Sequence, residues 1–305
     1  MRESTRNIFR LHGKRVDRAV HNYIYFRYYA PYVKTMLVLI RFFVRYFRWM
    51  SPLRFTLHQA FQRYHAKVLS FGDVRKILTI DRDVTLGPDS GRSIIPYSRA
   101  NSIILKEPGY IAVMDCPCKL AREPNTCEPV ASCIAVGRTT AQFWLEHGEK
   151  YHARRITQEE ELSIITDFRR RGHVTTAFFK VATGGRTGVI CNCCPRCCVS
   201  LEATRLARSV RGGGTLSMQA PSGYEIRHIP ERCRLCGACG RICPFGAIKT
   251  EGGTWSRDSH LCMGCGLCEE HCDNGALEMH TDGAGLQPLD LDRAAKLLGS
   301  RGTVK

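Results

Sequence analysis

Cysteine is the residue whose spacing in this sequence most clearly predicts chemistry. Two runs near the C-terminus have two, two and three residues between successive cysteines, and the second run follows the first by 29 residues. In such a run three thiolates wrap one iron–sulfur cube and the fourth reaches a second cube. The predicted ligands are Cys233, Cys236, Cys239 and Cys272 for one [4Fe–4S] cluster, and Cys262, Cys265, Cys268 and Cys243 for the other.

Zinc is the main alternative, because Cys-x2-Cys pairs also build zinc sites. It explains two matched runs of four cysteines poorly, since tetrahedral zinc takes four thiolates in two pairs. Residues 228–282 resemble the two-cluster bacterial ferredoxins, and this resemblance implies single-electron transfer. In that family proline usually follows the fourth cysteine of both runs, whereas here Pro244 follows the first run and Asp273 the second. We expect Asp273 to lower the potential of the adjacent cluster unless it faces solvent.

Nine further cysteines lie in the middle of the chain in two groups, each following a short apolar strand. Because both strands are expected at one edge of a sheet, the two groups are expected to meet. Side chains alternate along a strand, so Cys191 and Cys193 are predicted on one side and Cys194 on the other, too divided for one cluster. The groups are Cys116, Cys118, Cys127 and Cys133, and then Cys191, Cys193, Cys194, Cys197 and Cys198.

An additional iron–sulfur cluster held by these nine cysteines is the working hypothesis, because dense thiolates select soft metals or iron–sulfur centres. Zinc and plain reduced thiols are the alternatives, and disulfides are disfavoured because adjacent cysteines bridge poorly. Residues 95–282 also resemble a family of multi-cysteine ferredoxin-containing proteins of anaerobes. That resemblance rests on Ile95-Pro-Tyr, Ile111-Ala-Val, Cys116-Pro-Cys, Ile156-Thr-Gln-Glu-Glu and Ile190-Cys-Asn-Cys-Cys. It implies a redox function but does not indicate a particular reaction.

The first 67 residues form a basic, aromatic arm with fourteen Lys and Arg against Glu3 and Asp17, which is +12 of the chain's +17. At helical spacing, five basic residues between Arg27 and Arg48 make one stripe beside a broad apolar face. No uncharged run reaches the ~18 residues that a membrane span needs. An interfacial helix on anionic lipid fits best, a helix packed on the middle region or a partner comes next, and nucleic acid is least favoured.

The predicted fold class is α+β, with a helical basic arm, an α/β cysteine-rich domain and a C-terminal ferredoxin-like module. The helix of the middle domain is expected to begin with a capping box at Thr157-Gln-Glu-Glu and to pack on the sheet. A short hairpin is expected around Glu251-Gly-Gly. The predicted regions are 1–67 (arm), 70–207 (cysteine-rich domain), 208–224 (linker acting as a hinge), 225–282 (ferredoxin module) and 283–305 (tail with one short helix from Leu289).

These features predict a cytoplasmic iron–sulfur electron-transfer protein, held at the inner membrane face if the arm binds lipid, that passes electrons to redox partner proteins. The ferredoxin module alone implies no catalysis, so a carrier or an oxidoreductase subunit is favoured over a stand-alone enzyme. Two alternatives stay open. One is an enzyme, or enzyme subunit, whose middle cluster faces a substrate, and the other is a cluster-based regulator that binds nucleic acid.

Overall fold

The structure is a computed structural model that describes residues 2–80, 83–86, 94–97, 103–180, 186–281 and 286–289. Helices and sheets are mixed along the chain, as the α+β class predicts. The tail helix predicted from Leu289 lies outside the described residues, apart from Leu289 itself.

The arm is a series of four helices, followed by a strand that enters the central sheet. α3 buries one face through Val33, Leu37 and Val44, which recur at helical spacing. α2 ends at Arg27, so this residue lies outside the continuous helix that carries the rest of the predicted basic stripe. The arm helices are α1 (Glu3–His12), α2 (Val16–Arg27), α3 (Tyr29–Phe47) and α4 (Ser51–Phe61).

The central sheet has seven strands in the order β6-β4-β5-β8-β7-β1-β9. Its neighbouring strands pair antiparallel, except β1 and β9, which are parallel. Its strands are β1 (Tyr64–Val68), β4 (Ile111–Asp115), β5 (Ala131–Val136), β6 (Arg154–Ile156), β7 (Val174–Lys180), β8 (Arg186–Cys193) and β9 (Gln219–Ala220). β2 (Val84–Leu86) and β3 (Ile103–Leu105) form a separate pair.

Helices cover both faces of this sheet, which gives three layers. One face packs against α5 and α8 through residues such as Val74 and Ile165, and the other packs against α2, α3 and α7. Thr157 caps α8 by accepting a hydrogen bond from the Glu160 N–H at 3.2 Å, which confirms the predicted helix start. The helices of this region are α5 (Phe71–Leu78), α6 (Pro117–Leu120), α7 (Arg138–His147), α8 (Gln158–Arg170) and α9 (Val199–Arg208).

The structure divides the chain differently from the predicted regions at two places. β1 belongs to the sheet through its register with β7 and β9, so the arm and the middle region share one core. The predicted linker, 208–224, is packed: Val210 and Leu216 are buried against α4 and α9, and β9 extends the sheet. Its glycines lie in tight turns. Because the apolar residues between them are buried, this segment cannot act as a flexible hinge.

The C-terminal module consists of two short helices and two strand pairs with an internal pseudo-symmetry. The antiparallel pair β10–β13 joins its ends, and β11–β12 forms the expected hairpin, in which Gly252 and Gly253 have positive φ. Its elements are β10 (Tyr224–His228), α10 (Ala238–Ile242), β11 (Ile248–Glu251), β12 (Thr254–Arg257), α11 (Leu267–Glu270) and β13 (Leu277–Thr281).

Candidate metal centres

Four cysteines of the C-terminal module surround one small cavity of about 50 Å³. They come from both cysteine runs, since Cys272 of the second run joins Cys233, Cys236 and Cys239 of the first. Cys236 is exposed, so this group lies at the protein surface. Asp273 is also exposed, and solvent therefore screens its charge from this group.

The other four cysteines of the module form a second, deeper group. Cys262, Cys265 and Cys243 lie close enough to Cys268 to raise the pKa of its thiol, although burial is the larger cause. Burial likewise raises the pKa of Cys265 to about 12. Thiols in such a place ionise only with a cation to hold them, which is the chemistry of metal ligands.

The two groups are related by the internal repeat. The Ala247 N–H donates to Cys243 Sγ and the Ala276 N–H donates to Cys272 Sγ, each at 3.3 Å. Backbone N–H groups directed at ligand sulfurs stabilise the negative charge of an iron–sulfur cluster. Four thiols per group, with a backbone donor to each crossing thiol, fit the ligand demand of two [4Fe–4S] clusters.

The comparisons with known proteins place this module in a family. The 4Fe-4S binding domain family matches residues 226–249 and 256–278, one match for each cysteine run. Residues 226–278 form a ferredoxin-type 4Fe-4S domain. The ferredoxin domain accordingly has two 4Fe-4S binding motifs, as the cysteine spacing predicts.

Three relatives agree with this assignment. An uncharacterized ferredoxin of Methanocaldococcus jannaschii is 36% identical over 17% of this chain and 33% of its own length. Pyruvate synthase subunit PorD of Thermotoga maritima is 40% identical over 17% of this chain and 54% of its own length. Formate hydrogenlyase subunit 2 of Escherichia coli is 33% identical over 22% of this chain and 32% of its own length. The chain thus spans from about a third to about half of these relatives, and 12% of an uncharacterized protein of Methanothermobacter thermautotrophicus.

Six of the nine middle cysteines form a closed ring of thiols, here called the thiol ring. Each thiol shares hydrogen bonds with two neighbours in the circuit Cys116, Cys118, Cys198, Cys193, Cys191, Cys133 and back to Cys116. These bonds lower the pKa of Cys116, Cys191 and Cys198, that of Cys191 to about 5, and raise the pKa of the three thiols between them. Cysteines of lowered and raised pKa therefore alternate around the ring.

The remaining three middle cysteines form a separate group, here called the thiol triad. Cys127, Cys194 and Cys197 are buried, and their sulfurs lie within 4.8 Å of one another. Cys127 and Cys197 are joined as a disulfide, with Cα atoms 6.7 Å apart. The expectation that disulfides are disfavoured is wrong for this pair, because it rests on the poor bridging geometry of adjacent cysteines and these two lie 70 residues apart. As predicted, Cys194 lies apart from Cys191 and Cys193.

Strand order brings the two middle groups together in a way that differs in detail from the expectation. β4, which precedes Cys116, and β8, which carries Cys191, are separated by β5. Cys133 on β5 pairs directly with Cys191 in register and so completes the ring between them. Six cysteines exceed the four ligands that one cubane takes, so the ring has enough soft donors for an iron–sulfur centre.

Lys180 provides the thiol ring with a buried positive charge that the cysteine spacing did not reveal. Its ammonium lies 4.8–5.3 Å from the ring centroids of Tyr25, Phe26, Tyr29 and Phe178 and donates to the Tyr29 hydroxyl at 2.6 Å. Burial lowers the pKa of Lys180, and the nearby ring cysteines oppose that shift. A caged cation beside thiolates stabilises their negative charge. The tyrosine-rich run of the arm was the available sequence signal.

The deeper cysteine group of the ferredoxin domain shares one hydrophobic cluster with the thiol ring. Cys265, Met263 and Leu267 of the ferredoxin domain pack in it with Cys193 and Cys198 of the ring. Arg169 of α8 fixes this contact: it is 2% exposed, pairs with Glu270, and donates to the Cys265 carbonyl at 2.6 Å. The surface group, the deeper group and the thiol ring therefore follow one another into the protein.

Proposed function

We propose that this chain is an iron–sulfur electron-transfer protein in which three redox centres form one relay. The observation that carries the proposal is that Cys265 shares one buried hydrophobic cluster with Cys193 and Cys198, which places the ferredoxin domain next to the thiol ring. With clusters bound, electrons would enter at the exposed loop around Cys236, pass to the deeper group of cysteines and reach the thiol ring. Bound iron–sulfur clusters would supply one-electron redox chemistry at these three positions.

The cysteines have distinct roles in this proposal. Cys233, Cys236, Cys239 and Cys272 hold the first cluster, and Cys262, Cys265, Cys268 and Cys243 hold the second. Thiolates of the ring hold the third. The residues around the exposed loop, including Leu235 at 41% exposure, form the docking surface for a redox partner protein. The names of two relatives, subunits of pyruvate synthase and of formate hydrogenlyase, support a partner of the oxidoreductase class.

Crossed ligation is tested by a matched pair of variants in the full chain. Cys272→Ser should remove the first cluster, and Cys243→Ser the second, so each variant loses the iron and acid-labile sulfide of one [4Fe–4S] cluster. Reduced-state EPR after anaerobic purification identifies the surviving cluster, and Cys127→Ser is the control that retains both. Zinc in place of iron, or loss of both clusters in each variant, would refute the assignment.

The further cluster needs its own test. The sheet includes β1 and β9, so the full chain is used rather than residues 70–207 alone. We expect iron and sulfide beyond the amount for two clusters, and a Cys118→Ser variant that loses this excess while retaining the ferredoxin signals. Iron for two clusters only in the parent protein would eliminate the third centre.

α3 supports a second element of the proposal, docking on an anionic membrane surface. Its face opposite the buried one is apolar and exposed: Phe42, Phe43 and Tyr46 on the helix, and Trp49 just after it, are each 45–65% exposed. The exposed Lys34 and Arg45 flank this face, whereas Arg41 is paired with Glu202 at 2.6 Å. No helix within the described residues is long and apolar enough to cross a bilayer. Aromatic residues flanked by cations suit the interface of lipid headgroups.

Liposome flotation tests the membrane docking with point variants, because deleting residues 1–67 would remove β1 from the sheet. Phe42→Ser with Trp49→Ser should abolish flotation with anionic vesicles while the iron content stays unchanged. Thr35→Ser, on the same face, is the control. Unchanged flotation in the double variant, or retention on DNA in place of lipid, would contradict docking and favour the nucleic-acid alternative.

A second candidate function, an iron–sulfur enzyme or enzyme subunit, is favoured by one observation. The thiol ring forms the floor of a cavity of about 780 Å³ instead of being sealed in the core. Small-molecule sites have volumes of about 300–1,000 Å³. Ligand-dependent change in the EPR of the middle centre would identify an enzyme, and an unchanged signal would leave the carrier function.

A further inference from the structure

The cavity above the thiol ring lies between the arm helices and the central sheet. Its floor includes Cys191 and Cys193, and its walls come from α2, α3 and β1. The cavity has two kinds of lining. Aromatic side chains with polar groups lie nearer α2, and apolar side chains lie along α3. A ligand here would contact groups of both kinds.

The polar wall offers neutral hydrogen-bond donors on aromatic rings. The Tyr64 hydroxyl bonds both His21 Nε2 and the Tyr32 hydroxyl, and Tyr25 lies next to them. Burial, with Arg63, lowers the pKa of His21, which keeps the imidazole uncharged. The cation on the floor, Lys119, already donates to the Pro129 carbonyl. A planar ring with carbonyl acceptors fits such walls by stacking and hydrogen bonding.

The apolar wall leads outward along α3. Val33 is buried and Ile40 half-buried, and Met36 at 37% exposure lies at the rim. Met36 is adjacent on the helix to the exposed apolar face that is proposed to meet lipid. Arg18 and Arg63 also line this cavity and are exposed, so lipid phosphates would meet them at its opening. An apolar tail in this slot would therefore emerge at the membrane surface.

We propose that this cavity is the binding site of a lipid-soluble quinone. Its ring lies among Tyr25, Tyr32 and Tyr64 above the thiol ring, and its tail follows Ile40 and Met36 to the lipid. This inference rests on the proposed relay and membrane docking. The reaction is a two-electron reduction, in which both ring carbonyls become hydroxyls. Two electrons arrive singly from the reduced iron–sulfur relay, and two protons come from water through the hydrogen-bonded His21, Tyr64 and Tyr32.

Binding is measured first, without turnover, on the anaerobically purified full chain with decylubiquinone as the probe. Ile40→Trp fills the tail slot and should weaken binding at least about tenfold, which corresponds to about 1.4 kcal/mol. Leu39→Trp, the next residue on α3 and 42% exposed, is the matched control and should leave binding unchanged. Met36→Trp at the rim is a second blocking variant if Ile40→Trp fails to fold. Tyr64→Phe removes a donor and should weaken binding about fivefold.

Three results would overturn the proposal: no saturable binding of decylubiquinone, equal effects of Ile40→Trp and Leu39→Trp, or tighter binding of decanoate. The last would assign the cavity to a fatty acid instead. Cys272→Ser separates this inference from the relay. It should keep decylubiquinone binding and, once free dithionite has been removed, deliver one electron fewer per protein to the quinone than the reduced parent protein does. An unchanged yield of reduced quinone with retained binding would refute the relay alone, while absent binding in every variant would refute the quinone site alone.

Discussion

Arg169 is the residue whose replacement should most directly separate the ferredoxin domain from the rest of the chain. Its guanidinium is buried, with 2% of the side chain exposed, and it binds both the Glu270 carboxylate and the Cys265 carbonyl. Arg169→Met keeps an unbranched apolar side chain in place of the aliphatic part of arginine and removes every one of these donors. The domain interface would then keep its apolar contacts and lose its charged ones.

The loss of folding free energy in Arg169→Met follows from the polar groups that the substitution leaves unpaired. Losing a charged donor to the Cys265 carbonyl costs about 1.5–3 kcal/mol. Breaking a fully buried ion pair costs about 3–5 kcal/mol, and the 27% exposure of Glu270 reduces that share because water reaches the carboxylate. A total of about 3–4 kcal/mol corresponds to a fall in Tm of roughly 6–15 °C for a domain of this size.

Arg171 is the matched control on the same helix. It pairs with Asp167 at 2.8 Å, but both side chains are about half exposed, so Arg171→Met should cost no more than about 0.5 kcal/mol. Differential scanning calorimetry under anaerobic conditions measures both variants, and hydrogen exchange should show faster opening of the Ser222 amide, which bonds the Met263 carbonyl. Equal shifts in Tm for the two variants would refute the assigned role of Arg169.

Three other substitutions have expected outcomes. Lys180→Met removes a buried cation from the thiol ring, and a loss of about 2 kcal/mol of attraction should lower the potential of the middle centre by about 90 mV in redox titration. Burial raises the pKa of Glu161 to about 8. Above the ordinary pKa of about 4.3 the unfolded chain loses a proton that the native state keeps, so stability falls as pH rises to about 8. As the pH rises from 5.5 to 8, the free energy of unfolding of Glu161→Gln should therefore increase by about 3 kcal/mol relative to that of the parent protein. Denaturant unfolding measures this change, and exposed Glu159→Gln is the control. Gly264→Ala, at φ +61° against the β10 backbone, should prevent folding of the deeper cluster loop, measured by iron content, whereas Gly253→Ala at an open turn should not.

Spacing predicted the parts of the sites that local chain geometry determines. The ferredoxin repeat needs only the periodicity of its cysteines, and the separation of Cys194 from Cys191 and Cys193 follows from the alternation of a strand. The N-terminus of α8 follows from Thr157, because a hydroxyl at that position accepts from the first turn. Each of these depends on residues that are neighbours in sequence.

The features that residue spacing did not predict depend on pairing between distant parts of the chain. β1 alternates Tyr64, Ala66 and Val68 with His65 and Lys67, which resembles the end of a basic arm more than a core strand. Lys67 is nevertheless buried, donates to the Gln287 carbonyl at 2.8 Å, and burial lowers its pKa to about 7. Partners so distant in sequence leave no local pattern, and the same is true of the aromatic cage around Lys180.

The position of β1 also affects how this protein is made. β1 pairs on one side with β7 and on the other with β9, both more than a hundred residues later in the chain. Contacts so far apart in sequence give a high contact order, which slows folding. During synthesis the helices of the arm therefore leave the ribosome long before the strands they cover. Cys116, Cys118 and Cys133 are consequently made before β7, β8 and β9, which complete the sheet, have emerged.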